Sequence, residues 1–91
     1  IKTIGVIGAG QMGNGIAHVC ALAGYDVRIN DINEERIHAG LATINGNMAR
    51  QVAKGAIEEE VRRAALERIQ PAVGYEDLRP CDIVIEAATE N

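Results

Sequence analysis

Ile4-Gly5-Val6-Ile7-Gly8-Ala9-Gly10-Gln11-Met12-Gly13 decides the fold, read together with Asp31 eighteen residues further on. Gly8 to Gly13 has the form G-x-G-x-x-G, a short pattern that says little alone because glycine is common. Its surroundings give it weight. Lys2 to Ile7 is apolar and partly β-branched, as a buried parallel strand should be. Gln11 to Ala23 predicts a helix, and Val27 to Asp31 a second strand that ends on a carboxylate. Strand, glycine turn, helix, strand and acid close within about 30 residues, the span of a Rossmann-type dinucleotide-binding unit.

Each residue type has a physical task in such a unit. Gly8 allows a sharp turn off the strand, where a Cβ would clash. Gly10 lets the backbone approach a pyrophosphate, and Gly13 lets the helix lie close on the strand. The helix that starts near Gln11 points unpaired N–H groups and the positive end of its dipole at the phosphates. Gly8, Ala9, Gly10, Gln11, Met12 and Gly13 are therefore the expected phosphate-binding residues. Asp31 would accept hydrogen bonds from the adenosine ribose hydroxyls and repel a 2′-phosphate, which favours NAD over NADP. Ile32, Asn33, Glu34 and Glu35 follow it, and Arg36 comes only five residues on. The alternative is a glycine turn in an unrelated α/β domain with Asp31 as a helix N-cap. Asn33 competes for that role, with Arg36 rather than Glu at its N3 position, so no capping box forms.

The chain has 91 residues, enough for one small domain at most. A net charge of −4, with two Tyr and no Phe or Trp, argues against a nucleic-acid surface. No run of about 18 apolar residues suggests a membrane span. Cys20 and Cys81 are far apart and suggest neither a metal site nor a disulfide framework. Both are expected to be small core residues, with reduced thiols as in a cytosol-like compartment. His18 and His38 fall on predicted helices with no ligand at metal spacing, and are expected at the helix surface.

After Asp31, Ile37, Leu41, Ile44, Met48 and Val52 form one apolar stripe, predicting a helix from about Glu34 to about Lys54 with Gly55 as its C-cap. A second helix is expected from about Glu58 to Ile69, with Glu58, Glu59 and Glu60 favourable at its N-terminus. A short third strand is expected at Ala72-Val73, where Pro71 fits an edge. Tyr75 to Leu78 predicts a helical turn, and Cys81 to Glu86 a fourth strand. The expected architecture is α/β: a Rossmann-type parallel sheet, first half only, with a helical hairpin inserted between the second and third strands. Residues 1–91 then form the N-terminal part of a larger nucleotide-binding domain. The hairpin is either a structural elaboration or an arm that reaches a bulky substrate, and periodicity does not choose between them.

Ile4 to Ala17, Ala23-Gly24-Tyr25-Asp26-Val27, the hairpin end Gln51 to Gly55 and Asp82 to Asn91 together resemble the N-terminal domain of the 3-hydroxyacyl-CoA dehydrogenases. The resemblance spans essentially the whole chain. It implies NAD as cofactor and an acyl-CoA substrate of the 3-hydroxybutyryl-CoA type. It implies that Gly8 to Gly13 hold the pyrophosphate, that Asp31 holds the adenosine ribose, and that Glu90 contacts NAD near the nicotinamide ribose. Asn47 and Lys54 fall where the family contacts coenzyme A, although Asn47 replaces a hydroxyl residue of some members. On spacing alone, Lys54 reads sooner as a helix-terminal lysine that complements the dipole. The resemblance further implies that the catalytic histidine, its orienting glutamate, and an assisting serine and asparagine lie beyond Asn91. A helical second domain that makes a homodimer is implied too. The compartment implied is the cytoplasm, or the mitochondrial matrix if a transit peptide once preceded Ile1. Other β-hydroxyacid dehydrogenases share the glycine turn. They commonly carry a basic or Asn-Arg pair at Asn30-Asp31 and lack the long helical arm. A non-catalytic nucleotide-binding module remains a further reading.

Overall fold

Thr3–Ile7 forms β1, and its alternation sorts the sheet faces. Ile4 and Val6 enter the core, while Gly5 lies on the other face against Cys81, Leu78 and Val84. The chain continues as α1 (Gln11–Leu22), β2 (Asp26–Asn30), α2 (Glu34–Ala53), α3 (Glu59–Glu67), β3 (Ile69–Pro71), a 3₁₀ turn (Tyr75–Leu78) and β4 (Ile83–Glu86). This computed structural model describes residues 1–87. The sheet is wholly parallel in the order β3-β2-β1-β4. The switch point between β1 and β4 is therefore where the sequence placed it.

The crossovers put α1 and the α2–α3 hairpin on one face, the right-handed rule for parallel strands accounting for the shared side. Val6, Val27 and Ile29 from the sheet meet Ala17 and Ala21 of α1 and Ile37, Ile44 and Met48 of α2 there. The expected hairpin is present. Asn33 caps α2, its Oδ1 accepting the Arg36 N–H at 2.9 Å, so Asp31 is not the N-cap. At the other end Gly55 takes φ +80°, which a side chain would resist, and donates to the Val52 carbonyl while Ala56 donates to Gln51. That paired closure is a Schellman ending. Arg62 fastens α3 to α2 by donating to Asn45 Oδ1 at 2.5 Å, and within α3 it pairs with Glu59 at 2.8 Å.

Four expectations are corrected. The third strand is Ile69–Pro71 and not Ala72-Val73, and α3 ends at Glu67 rather than Ile69. Ile69 suits an apolar helix face and an apolar strand equally, and its pairing with Val27 decides in favour of the strand. Pro71 is tolerated because its ring sits on the edge strand, and the bond back to β2 comes from the next residue, Ala72 N–H to the Ile29 carbonyl at 2.8 Å. Cys20 and Cys81 are half-buried rather than core, and burial pushes both thiols up, away from the reactive thiolate. His18 is not a plain surface histidine: its Nε2 lies 2.8 Å from Gln51 Oε1, tying α1 to α2.

At the start of the β1–β4 pair, Asp82 Oδ2 accepts the backbone N–H of Lys2 at 2.7 Å and of Thr3 at 3.0 Å. Those two bonds hold its carboxyl below the usual carboxylate range. A lowered folded-state value means that the stabilisation is present above the unfolded carboxylate range and is lost as pH falls through the folded value. Asp82→Asn should therefore melt below the parent at neutral pH, with the gap closing in the acid range below about pH 4. A gap that stays constant with pH in thermal melts would contradict this role.

Candidate functional site

The glycine turn sits where β1 hands over to α1, at the carboxyl ends of the parallel strands. Gly8 takes φ +107° and donates its N–H to the Asn30 carbonyl at 2.7 Å. Next to it, Ala9 N–H donates to Asp31 Oδ2 at 2.7 Å, and Asp31 Oδ1 accepts the N–H of Ile32 at 2.6 Å. The turn is thus laced to the end of β2. Gly13 packs directly on Gly8, and Gly40 of α2 packs directly on Ala9.

The start of α1 is bare. Gly10 is its N-cap, with no side-chain cap and no acidic residue in the first turn. The first helical bond runs from Asn14 N–H to the Gly10 carbonyl, so the N–H groups of Gln11, Met12 and Gly13 have no intrahelical partner. A Cβ on Gly10 would meet no protein atom within 4 Å. Its φ of −72° and ψ of −163° are ordinary for any residue. Nothing within the described fold requires glycine there, and the space in front of the helix is open. Exposed N–H groups at a helix start are suited to receive an anion.

Three recesses surround this turn. One of about 390 Å³ opens at the strand ends, floored by Ile7, Gly8, Asn30, Asp31 and Glu86 and walled by Ile32, Val73, Gly74 and Tyr75. Another of about 330 Å³ lies over the start of α1, between Gly10, Gln11 and Met12 on one side and Asp31, Ile32 and Arg36 on the other. Arg36 is five residues past Asp31, yet the first turn of α2 brings it into the same recess. The third, about 480 Å³, is a groove between α1 and α2 lined by Gln11, Asn14, Thr43 and Asn47.

The expected residues do not all meet. Gly8 to Gly13 and Asp31 form one contiguous site. Asn47 lines the groove beside it, and its Oδ1 accepts from an Arg50 guanidinium nitrogen. Lys54 is exposed at the C-cap of α2, beyond the groove lining, with its N–H bonded to the Arg50 carbonyl at 3.0 Å. Glu90 lies outside the described residues. Sequence reasoning missed Asn30, which is buried and donates from Nδ2 to the Ala72 carbonyl at 2.7 Å, fixing the approach to the Val73–Tyr75 wall. It also missed Gly40, although a glycine on the buried stripe of an otherwise regular helix is the usual sign of a close backbone approach. Among the described residues no group of His, Cys, Asp and Glu could hold a metal ion, and no helix is long and apolar enough to cross a membrane.

A bare helix start behind a glycine turn, at the switch point of a parallel sheet, with a carboxylate at the end of β2, defines a Rossmann-type dinucleotide-binding domain. The chain belongs to the 3-hydroxyacyl-CoA dehydrogenase NAD-binding domain family, whose model matches residues 3–91. NAD is the cofactor of that domain, and the turn, the bare N–H groups and Asp31 fit it. The chain is 60% identical over 99% of its length to a 3-hydroxybutyryl-CoA dehydrogenase of Bradyrhizobium diazoefficiens, covering 31% of that protein. It is 44% identical over its whole length to a probable 3-hydroxybutyryl-CoA dehydrogenase of Bacillus subtilis, covering 32% of that one. The solved structure of (S)-3-hydroxybutyryl-CoA dehydrogenase from Ralstonia eutropha superposes with a TM-score of 0.96 at 45% identity, over all of this chain and 32% of that one. The chain thus spans about a third of the length of these relatives.

Proposed function

We propose that the chain is the cofactor-holding part of an oxidoreductase that moves a hydride between NAD(H) and C3 of a short-chain 3-hydroxyacyl-CoA or 3-oxoacyl-CoA, of the 3-hydroxybutyryl-CoA and acetoacetyl-CoA type. The observation that carries the reading is the bare start of α1 facing a fixed Asp31 carboxylate, in a chain this close to 3-hydroxybutyryl-CoA dehydrogenases. The N–H groups of Gln11, Met12 and Gly13 hold the pyrophosphate, and Asp31 takes the ribose hydroxyls. Ile32, Val73 and Tyr75 offer apolar surface to the adenine. Bound NAD supplies the hydride acceptor, and NADH the donor. Glu90 contacts the cofactor on the nicotinamide side. A histidine paired with a glutamate, carried by the rest of the protein, moves the proton on the C3 oxygen. The reading extends to a homodimer, and to the cytoplasm, for which the bacterial relatives speak.

On the hairpin, Asn47 and Lys54 serve the coenzyme A end of the substrate, and Arg50, held beside Asn47, adds a second cation on the same exposed turns of α2. Coenzyme A phosphates are well matched to such cations. Lys54→Ala should raise KM for acetoacetyl-CoA by about two- to fivefold with kcat kept, the size of an exposed ion pair, and added salt should shrink the difference. An unchanged KM would leave Lys54 as a helix-end lysine only.

The deciding experiment follows loss of NADH absorbance with acetoacetyl-CoA in the full-length protein that carries this sequence. Turnover with acetoacetyl-CoA, and none with free acetoacetate, supports the reading. NADH binding without turnover favours a non-catalytic nucleotide-binding module.

A further inference from the structure

We propose that Asp31 positions the glycine turn as well as reading the ribose, so that one carboxylate sets both halves of the cofactor site. The inference rests on the NAD-binding reading above. Its basis is where the two carboxylate oxygens already point. Oδ2 accepts the Ala9 N–H at 2.7 Å across 22 residues of chain, and Oδ1 accepts the N–H of Ile32 at 2.6 Å. An ionised carboxylate offers about four acceptor positions on its two oxygens. Two are taken by the backbone, one on each oxygen. One remains on each oxygen, and an adenosine ribose presents two hydroxyls. The inward positions organise the protein and the outward ones meet the ligand.

The Ala9 bond matters because of what adjoins it. The Gly8–Ala9 peptide is anchored at both nitrogens to the end of β2, Gly8 through the Asn30 carbonyl and Ala9 through the Asp31 side chain. Gly10 follows as the N-cap of α1 and has no side chain to stabilise its own position. The bond from Asp31 is therefore the one side-chain hydrogen bond, among the described residues, that fixes the turn ahead of the bare N–H groups. A charged acceptor makes it a strong one, and a turn held in its bound shape saves the ordering cost of binding.

This separates two roles that Asp31 could have. If it only selects against a 2′-phosphate, its removal relaxes the preference and NADPH binds better. If it also sets the turn, its removal loosens the phosphate site for both nucleotides, and relief of repulsion does not compensate.

The test uses the full-length protein in three forms: parent, Asp31→Ala and Asp31→Asn. Hydrogen exchange at the Ala9 amide is read without any nucleotide, so it stands even if the cofactor reading fails. Affinities for NADH and NADPH are then read by fluorescence. In Asp31→Ala the amide should exchange about tenfold faster or more, and both nucleotides should bind about tenfold more weakly or worse. In Asp31→Asn the side-chain oxygen still accepts, so the amide should stay protected while its proton resonance moves upfield as the charge assistance is lost. Unchanged Ala9 exchange in Asp31→Ala, or tighter NADPH binding, overturns the proposal. Should Asp31→Ala not fold, an Ala9 resonance unmoved in Asp31→Asn overturns it equally.

Discussion

Gly13→Ala should cost the fold about 3 kcal/mol or more and abolish NADH binding with it. The new Cβ would stand 1.5 Å from the Gly8 carbonyl oxygen and 2.7 Å from its carbon. Overpacking is tolerable where a flexible side chain can swing aside. Here the obstacle is backbone, in a residue at φ +107° whose N–H is already bonded to Asn30 at 2.7 Å. Moving Gly8 would break its bond to the end of β2. Moving α1 away would open the core between Val6 and Ala17, both fully buried. Either response damages the fold before the cofactor arrives. Chemical denaturation of the parent and the variant measures the loss, and a variant of parental stability would show that the helix can lift off the strand after all.

The parts of this site that were legible from sequence are those written in neighbouring residues. β1, the turn, α1 and β2 follow one another with strong local signals. The ends of α2 are marked by Asn33 and by Gly55, whose cap and positive φ are short-range chemistry. What failed was non-local. Ile69–Pro71 has too few residues for a period to emerge, and only the register against Val27 to Ile29 makes it a strand. The bond from Asn30 to Ala72 spans 42 residues and that from Asp31 to Ala9 spans 22, so neither leaves a trace in composition or spacing. Gly40 shows the same limit. The apolar stripe of α2 runs through Leu41, yet Gly40 packs so closely on Ala9 that a Cβ would come within 2.8 Å of the carbonyl oxygen. The glycine turn is therefore held from β2 by hydrogen bonds and from α2 by contact. The inserted hairpin is joined to the cofactor site from its first turn, where Arg36 lines the recess over the start of α1, and the groove that runs on to Asn47 passes Gly40.

Gly10→Ser should move stability and binding in opposite directions. Gly10 is the N-cap of α1, a position where serine outranks glycine because its hydroxyl accepts from the first turn. The backbone there is ordinary, and a Cβ meets nothing within 4 Å. The free protein should thus gain a few tenths of a kcal/mol from the new cap. The serine side chain would then occupy the space in front of Gln11, Met12 and Gly13, and its hydroxyl would satisfy a donor meant for the pyrophosphate. NADH affinity should fall by about 1–3 kcal/mol, about 5- to 150-fold. On the proposed reading Gly13 serves the fold and Gly10 the ligand, so the two variants dissect one motif into its structural and binding halves. Melting temperature without nucleotide and NADH titration on the same preparation read both effects. A Gly10→Ser protein that is stabilised yet binds NADH as well as the parent would move the pyrophosphate away from the start of α1.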